Sequence, residues 1–344
     1  MKKKTIKKDE GRIYIEGKKH ISVYGTDYHV DSVWKDVKVA TGGDLNLFPT
    51  ETNHIIDHAL VDDTSRLKTA GYSQIGKIEL FEKSFYENEC CDVRPCHIES
   101  ICANDKSGME LMNVHVGNMY LRGKNKVSLD DVFIDKVVVN NPTRDYEAEI
   151  SGSGIIDTLI IRQGYIDLRG ITVYNLIIYE KGECFVDRCR LGKVINNGET
   201  HIIDTKNIDS LYIPKGYVYI NRDYDDEHDD NATPRCNISE LYIKNGSINC
   251  CHTWFFHFHF LGKSCIKDTM EWNDDNKLNV MYIGKRQIGM QTKSNTKERV
   301  DYIICRELSF VQRDIEIMDD EFEMTFDEFY DKIKEIIKKK EKVA

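Results

Sequence analysis

The sequence predicts an all-β protein built as a parallel β-helix, a solenoid in which each coil stacks its strands on those of the coil before it. The main observation is a recurring six-residue phrase: apolar, two small or polar residues, apolar, any residue, apolar. Between residues 155 and 220 the phrase starts at positions 17, 18 and 17 residues apart, namely Ile156, Val173, Leu191 and Ile208. A short fixed period is typical of a solenoid, because a single coil cannot bury its apolar side alone. The β-branched residues and the short distance between turns favour strands over helices.

Similar phrases extend the repeat in both directions, and their starts are Ile56, Ile75, Ile98, Val116, Ile134, Ile238 and Leu278. From Ile75 to Ile208 the successive starts lie 23, 18, 18, 22, 17, 18 and 17 residues apart, so the longer spacings contain loop insertions. We predict roughly nine coils. Leu159, Leu176 and Leu211 hold the same place in their phrases, and we expect them in one interior row. The pattern leaves the handedness of the β-helix open.

The predicted coils fill residues 56–283, and other segments flank them. Residues 1–10 are predicted to be a flexible basic tail, and residues 11–55 an N-terminal β module that caps the first coil and protects its edge. Residues 284–320 are predicted as a terminal β segment. Residues 321–344 are predicted as an amphipathic helix, because Thr325 and Glu328 form a capping-box pattern ahead of apolar residues at helical spacing.

Composition and charge argue against several classes of protein. The chain has 344 residues and a net charge of −10, whereas a general nucleic-acid binder needs a basic face. No stretch approaches the ~18 apolar residues of a membrane helix, and the basic N-terminus lacks the apolar core of a signal peptide. The eleven cysteines include the adjacent pairs Cys90-Cys91 and Cys250-Cys251, unlike a disulfide framework. We therefore expect synthesis in the cytoplasm, with no membrane contact and no structural disulfide.

An acidic segment interrupts the repeat between the phrases at Ile208 and Ile238. It supplies the candidate binding residues, which are Asp223, Asp225, Asp226, Glu227, Asp229 and Asp230. A calcium loop would have a glycine at the sixth place and a glutamate at the twelfth, where this chain has His228 and Pro234. The segment is therefore predicted to be a solvated surface loop, with contact to a basic protein partner as its functional alternative.

Two groups of cysteines and histidines resemble metal ligands in type but not in spacing. The larger group contains Cys250, Cys251, His252, His257, His259 and Cys265, and the smaller contains Cys90, Cys91, Cys96 and His97. Structural zinc sites combine C-x2-4-C with H-x3-5-H spacings, which neither group has. These side chains are predicted to fill the interior of the solenoid, and we expect no metal and no cofactor.

Three aspartates, Asp135, Asp157 and Asp209, hold the same place in their coils. A glycosidase needs two carboxylates on either side of a sugar, so this ladder is a candidate catalytic set. The shared place is a turn, however, where aspartate is favoured because it bonds to nearby backbone. No catalytic residue is therefore assigned.

The repeats over residues 56–283 resemble single-chain parallel β-helix proteins of the pectate-lyase-like kind. That architecture is shared by carbohydrate-active enzymes and phage tail spikes, and no catalytic motif of either can be placed on a residue of this chain. The resemblance therefore implies the fold and not the activity. The amino-acid usage, rich in Lys, Ile, Asn, Asp and Tyr with five prolines, is similar to that of a phage or of an AT-rich bacterial genome.

The leading hypothesis is a non-enzymatic structural or binding protein, encoded by a phage and working within a larger protein assembly, as a virion or accessory component. One alternative is an intracellular inhibitor of a host defence protein that acts through the acidic segment. The other is a polysaccharide lyase or hydrolase, as in a phage depolymerase. The expected partners are proteins, not nucleic acid, and self-association is left open.

Overall fold

The six-residue phrase spans a bend in each strand that carries it. In the strand His54–Val61, the residues at positions 54, 56, 59 and 61 are buried, whereas Asp57 and His58 both face outward. Side chains in a strand alternate between its two faces, so two outward residues in succession mark a change of direction. The two small or polar residues of the phrase therefore form a corner of the coil, with an apolar strand on either side.

The computed structural model describes residues 6–7, 12–16, 20–24, 32–48, 54–90, 95–142, 147–220, 236–250, 253–260, 270–272, 277–283 and 286–289. The chain forms two compact units, Met1–Asn175 and Leu176–Ala344. The acidic segment at residues 223–230 and the predicted helix at residues 321–344 lie outside the described residues.

The first unit consists of short strands, several of which continue through a corner. In chain order they are β1 (Ile6–Lys7), β2 (Arg12–Glu16), β3 (His20–Tyr24), β4 (Ser32–Ala40), β5 (Asp44–Phe48), β6 (His54–Val61), β7 (Arg66–Ala70), β8 (Ser73–Leu80), β9 (Phe85–Glu89), β10 (Cys96–Asp105), β11 (Gly108–Met112), β12 (Val114–Gly123), β13 (Lys126–Asn140), β14 (Glu147–Arg169) and the first part of β15 (Thr172–Asp187).

Two parallel ladders of strands build this unit. One joins β2, β4, β6, β8, β10 and β12 to the later parts of β13 and β14. The other joins β3, β5, β7, β9 and β11 to the earlier parts of β13 and β14. The segment predicted as a cap thus pairs with the coils through the same ladders, and β1 adds to β2 in the antiparallel sense.

In the described residues of the second unit, the rest of β15 is followed by ten further strands. These are β16 (Arg190–Asn196), β17 (Glu199–Ile203), β18 (Asn207–Ile213), β19 (Tyr217–Ile220), β20 (Cys236–Ile243), β21 (Ser247–Cys250), β22 (Thr253–Phe260), β23 (Met270–Trp272), β24 (Lys277–Ile283) and β25 (Arg286–Gly289). One parallel ladder joins β15, β17, β19, β21 and β23, and the other joins β16, β18, β20, β22 and β24. β25, in the predicted terminal segment, pairs antiparallel with β24.

The described residues confirm the predicted all-β parallel β-helix, with about ten coils. The predicted interior leucines Leu159, Leu176 and Leu211 have no exposed surface. Leu159 lies in register with Val137 in the first unit, and Leu211 with Val194 in the second. No helix long and apolar enough to cross a bilayer occurs in the described part of the chain.

Some corners need glycine because successive coils approach closely there. Gly117 occupies the corner of β12, directly above Glu99 in the coil before it. A Cβ atom on Gly117 would lie 2.7 Å from the carbonyl oxygen of Glu99, closer than van der Waals contact allows. Gly76 has the same relation to Asp57, with a distance of 2.6 Å. Hydrogen bonding between the coils therefore restricts the side chain at these corners.

We predict that Gly117→Ala destabilises the protein by about 1–3 kcal/mol, because the added methyl group pushes two hydrogen-bonded coils apart. The free energy of unfolding in urea measures the effect. Glu99→Ala is the matched control, since residue 99 is an exposed corner residue of the neighbouring coil, and its change should stay within about 0.5 kcal/mol. Equal stabilities of Gly117→Ala and the wild type would contradict the close approach.

We also predict that Leu211→Ala lowers the free energy of unfolding by about 2–5 kcal/mol, because it leaves a cavity in the interior row. The neighbouring Ser210 points outward, and Ser210→Ala should change stability by less than about 0.5 kcal/mol. If both substitutions had the same small effect, the assignment of Leu211 to the interior would be wrong.

Candidate functional site

A column of outward side chains crosses four coils of the first unit. His97, His115, Phe133 and Ile155 lie in register on β10, β12, β13 and β14. The ring centres of His97 and His115 are 5.2 Å apart, and those of His115 and Phe133 are 5.4 Å apart. Phe133 is 38% exposed and Ile155 is 36% exposed, which is high for apolar residues in adjacent coils. The column therefore presents aromatic and aliphatic surface to solvent.

Polar corner residues lie alongside this column. Asn113 and Asp131 adopt left-handed backbone conformations, with φ of 48° and 54°, which asparagine and aspartate accept more readily than most residues. The amide of Asp131 donates to Ser153 Oγ at 3.1 Å, and Ser153 Oγ donates to Asp130 Oδ1 at 3.0 Å. These bonds connect two coils at the corner and hold the polar groups in place.

His115, Phe133 and Ile155 of the column line an open groove of about 490 Å³ together with the corner residues. Its side chains come from successive coils, and those that matter most are Asn113, His115, Asp131, Phe133, Ser153 and Ile155. Stacked strands repeat about every 4.8 Å, so the groove offers contacts at regular intervals across the coils. Apolar surface flanked by hydrogen-bonding groups suits an elongated ligand, such as an extended segment of another protein.

The predicted aspartate ladder lies at a corner, as expected. In the first unit Asp135 is bonded to His115, with Oδ1 2.9 Å from Nε2, and its side chain is 53% exposed. Asp157 accepts a bond from Thr158 at 3.0 Å, and its backbone carbonyl accepts one from Asn175 at 3.1 Å. Asp209, in the second unit, is exposed. These bonds of the two carboxylates are made to the side chains of His115 and Thr158, and not to the backbone that aspartate commonly bonds in turns.

Each unit also carries an apolar strip on the outer side of its bent strands. In the first unit Tyr120, Val138 and Ile160 lie in register. In the second unit Ile195 and Tyr212 are in register, and Tyr212 lies on Tyr242 with ring centres 6.5 Å apart. Val138 is buried, and the other side chains are partly covered by their neighbours, so the strips expose only a limited apolar surface.

The larger cysteine and histidine group divides between the interior and the surface. Cys250 is buried, whereas His257 and His259 face outward on β22. Both rings bind one carboxylate: His257 Nδ1 lies 2.8 Å from Glu240 Oε1, and His259 Nε2 lies 2.8 Å from Glu240 Oε2. Tyr242 stacks on His259 at 4.3 Å and donates to Glu240 Oε2 at 3.2 Å. Cys251, His252 and Cys265 lie outside the described residues.

This arrangement changes the acidity of the shared carboxylate. Burial alone raises the pKa of Glu240, but the hydrogen bonds with His259, His257 and Tyr242 together hold that pKa below its ordinary value. The carboxylate therefore stays charged at neutral pH and fixes both imidazole rings. The cluster is a surface network built by two coils, β20 and β22.

Buried thiols of the described residues behave as core groups. Cys96 and Cys236 have no exposed surface, and burial raises the pKa of each thiol to about 12. Cys90 is buried as well, and His97 of the smaller group belongs to the groove column, while Cys91 lies outside the described residues. Thiols that remain protonated are weak nucleophiles and weak metal ligands, which fits the predicted role in filling the interior.

Neither the groove nor its column was identified from the sequence, although a signal was present. His97, His115, Phe133 and Ile155 each precede a phrase start by one residue. Aligning the phrases would therefore have placed these residues side by side.

Comparison with known proteins gave no relative: no family model, no curated protein and no solved structure matches this chain.

We predict that Glu240→Gln destabilises the protein at neutral pH and that the difference disappears in acid. Because the folded-state pKa of Glu240 is lowered, its ionisation stabilises the fold above the ordinary value of 4.5, and this contribution is lost as the pH falls through the folded-state value. Thermal unfolding of both proteins between pH 7 and about pH 3 measures the effect. Asp209→Asn removes an exposed carboxylate from the same unit and should leave the pH dependence unchanged. A difference from wild type that is constant with pH would contradict the prediction.

Proposed function

We propose that this chain is a non-enzymatic β-solenoid binding protein that recognises a protein partner through the groove of the first unit. The groove supports this proposal most directly, because it combines exposed Phe133 and Ile155 with fixed polar groups at Asp131 and Ser153. Apolar anchors surrounded by hydrogen-bonding groups are typical of surfaces that recognise proteins. The regular spacing of coils suits a partner segment that lies across several of them.

A wider assembly is the proposed setting. The partly exposed side chains of Tyr120 and Ile160 in the first unit, and of Tyr212 and Tyr242 in the second, supply further surface for protein contacts. A rigid solenoid offers long regular faces, which suit a component that touches more than one neighbour. We extend the proposal to a phage-encoded virion or accessory component, on the basis of the amino-acid usage described above.

Binding is favoured over glycan cleavage by the surroundings of the aspartates. A glycosidase requires one carboxyl group to give a proton and a second carboxylate across the bond. Asp135 instead bonds to His115, and Asp157 bonds to its neighbour Thr158. These contacts support a structural role for both residues.

The test is affinity capture from the cells that naturally contain the chain, followed by measurement of the dissociation constant with the purified partner. Phe133→Ser and Ile155→Ser should each weaken binding about tenfold or more, because they remove apolar contacts at the centre of the groove. Tyr217→Ser is the matched control, since Tyr217 is a 59% exposed side chain of the second unit, and it should bind as the wild type does. All variants are checked for native circular dichroism.

Two other outcomes would decide against the groove. Loss of binding on charge reversal of Asp225, Asp226, Asp229 and Asp230, with the groove variants unaffected, would support the inhibitor hypothesis, which otherwise stays a prediction. Reproducible glycan cleavage by the purified chain, abolished by Asp157→Asn, would replace the proposal with an enzymatic one.

A further inference from the structure

Three potential metal ligands converge on the outer face of the second unit. Glu183 on β15 and Glu199 on β17 lie in register, and His201 lies two residues further along β17 on the same face. One ligand atom from each residue falls within 4.8 Å of the other two. His201 Nε2 is 3.1 Å from Glu199 Oε1, so these two donors are already adjacent. We propose that Glu183, Glu199 and His201 form a binding site for a divalent transition-metal ion of the Mn²⁺ type.

The donor set decides the class of ion. Carboxylate oxygens suit hard ions such as Mg²⁺ and Mn²⁺, whereas an imidazole nitrogen favours first-row transition metals. Two carboxylates with one imidazole therefore suit a first-row divalent ion that accepts both oxygen and nitrogen ligands. Metal bonds to oxygen and nitrogen are about 2.0–2.2 Å long, so two donors on one ion lie up to about 4.4 Å apart. The three donor atoms, which lie within 4.8 Å of one another, therefore need to move only slightly closer to share one ion.

The backbone beneath the cluster is held by buried hydrogen bonds. Asn196 is fully buried at the end of β16, and its Oδ1 accepts a bond from Thr200 Oγ1 at 3.0 Å. Its Nδ2 donates to the carbonyl of Tyr217 on β19 at 2.9 Å. These bonds connect the strand that carries Glu199 and His201 to the coil above. Ligands on a rigid element lose little conformational entropy on binding.

The imidazole ring is also oriented before any ion binds. Tyr219 stacks on His201, with ring centres 4.7 Å apart and planes inclined by 26°. The side chain of His201 is 27% exposed and that of Glu199 is 32% exposed, so the donors are partly shielded yet open to an entering ion. Stacking therefore reduces the freedom of His201 without blocking access.

Electrostatics favour a cation at this position. Two carboxylates directly opposite each other on neighbouring strands repel, and a cation between them offsets that cost. The first unit shows the principle with protein cations: Glu87 lies in register with Glu110, and Arg66 and Lys68 bind Glu87. A metal ion bound by Glu183, Glu199 and His201 would add positive charge at the two opposed carboxylates.

The expectation that the chain lacks a metal came from the spacing of its cysteines and histidines. That argument does not extend to this cluster, whose members are brought together by the stacking of two coils. The proposed site also contains no thiol, which distinguishes it from a zinc site of the cysteine-rich kind.

Titration of the full chain with Mn²⁺, followed by electron paramagnetic resonance, tests the proposal. The wild type should bind Mn²⁺ saturably, and pulsed measurements should detect a coordinated imidazole nitrogen. Glu183→Gln, Glu199→Gln and His201→Gln should each weaken that binding at least tenfold, and His201→Gln should remove the nitrogen signal. With three ligand variants, a folding defect in one of them leaves the test intact, and circular dichroism identifies such a defect.

Two controls locate the ion. Glu180 is an exposed carboxylate on the same strand as Glu183, and it binds Lys215. Glu180→Gln should leave Mn²⁺ binding unchanged. His259→Gln alters the other histidine and carboxylate cluster of the unit and should also have no effect. The proposal is overturned if the wild type does not bind Mn²⁺, if the three ligand variants bind as the wild type does, or if His259→Gln removes the nitrogen signal.

Discussion

In-register hydrogen bonding between parallel strands is the constraint on which the rest of this structure depends. Paired strand residues of successive coils lie directly on one another, as Ile134 lies on Val116 and below Ile156. Interior positions therefore form continuous aliphatic rows that are buried on both sides by their own repeats. The same constraint forces the corners to match, which is why Gly117 cannot carry a side chain above Glu99.

Stacking also turns single residues into surface features that no single coil contains. The groove needs His115 from one coil, Phe133 from the next and Ile155 from the one after. The carboxylate of Glu240 binds two histidines because β22 lies directly beside β20. A solenoid can thus build recognition sites from ordinary side chains, provided that the ladder keeps its register. This explains how function can be placed on a fold whose interior is nearly uniform.

The fold was predictable because the apolar residues of the phrase indicate the interior rows, and its two small or polar residues indicate the corner between them. Residues that stand at a constant distance from the phrase start could also be predicted to lie side by side, as His115 and Phe133 each precede a start by one residue. The residues of the proposed metal site do not keep a constant distance from the phrase start. Glu183 follows its phrase start, Val173, by ten residues, whereas Glu199 follows Leu191 by eight. Variable corner lengths remove the alignment, so only the paired backbone brings these two carboxylates into register.

Polar side chains inside the coils show a further limit of the sequence pattern. Three buried residues, Thr69, Tyr86 and Asn88, occupy positions where neighbouring coils carry aliphatic residues. The alternation of apolar and polar residues alone predicts an interruption of the strand there. Instead the three side chains bond to each other. Thr69 Oγ1 lies 2.9 Å from Tyr86 OH, and Asn88 Nδ2 donates to Thr69 Oγ1 at 3.1 Å. Burial raises the pKa of Tyr86 above its ordinary value, so the phenol stays protonated and available for this bond. These bonds reduce the cost of burying the three polar groups, because an unpaired polar group destabilises the interior. The buried cluster of Thr69, Tyr86 and Asn88, like the surface groove, is therefore built from side chains of adjacent coils.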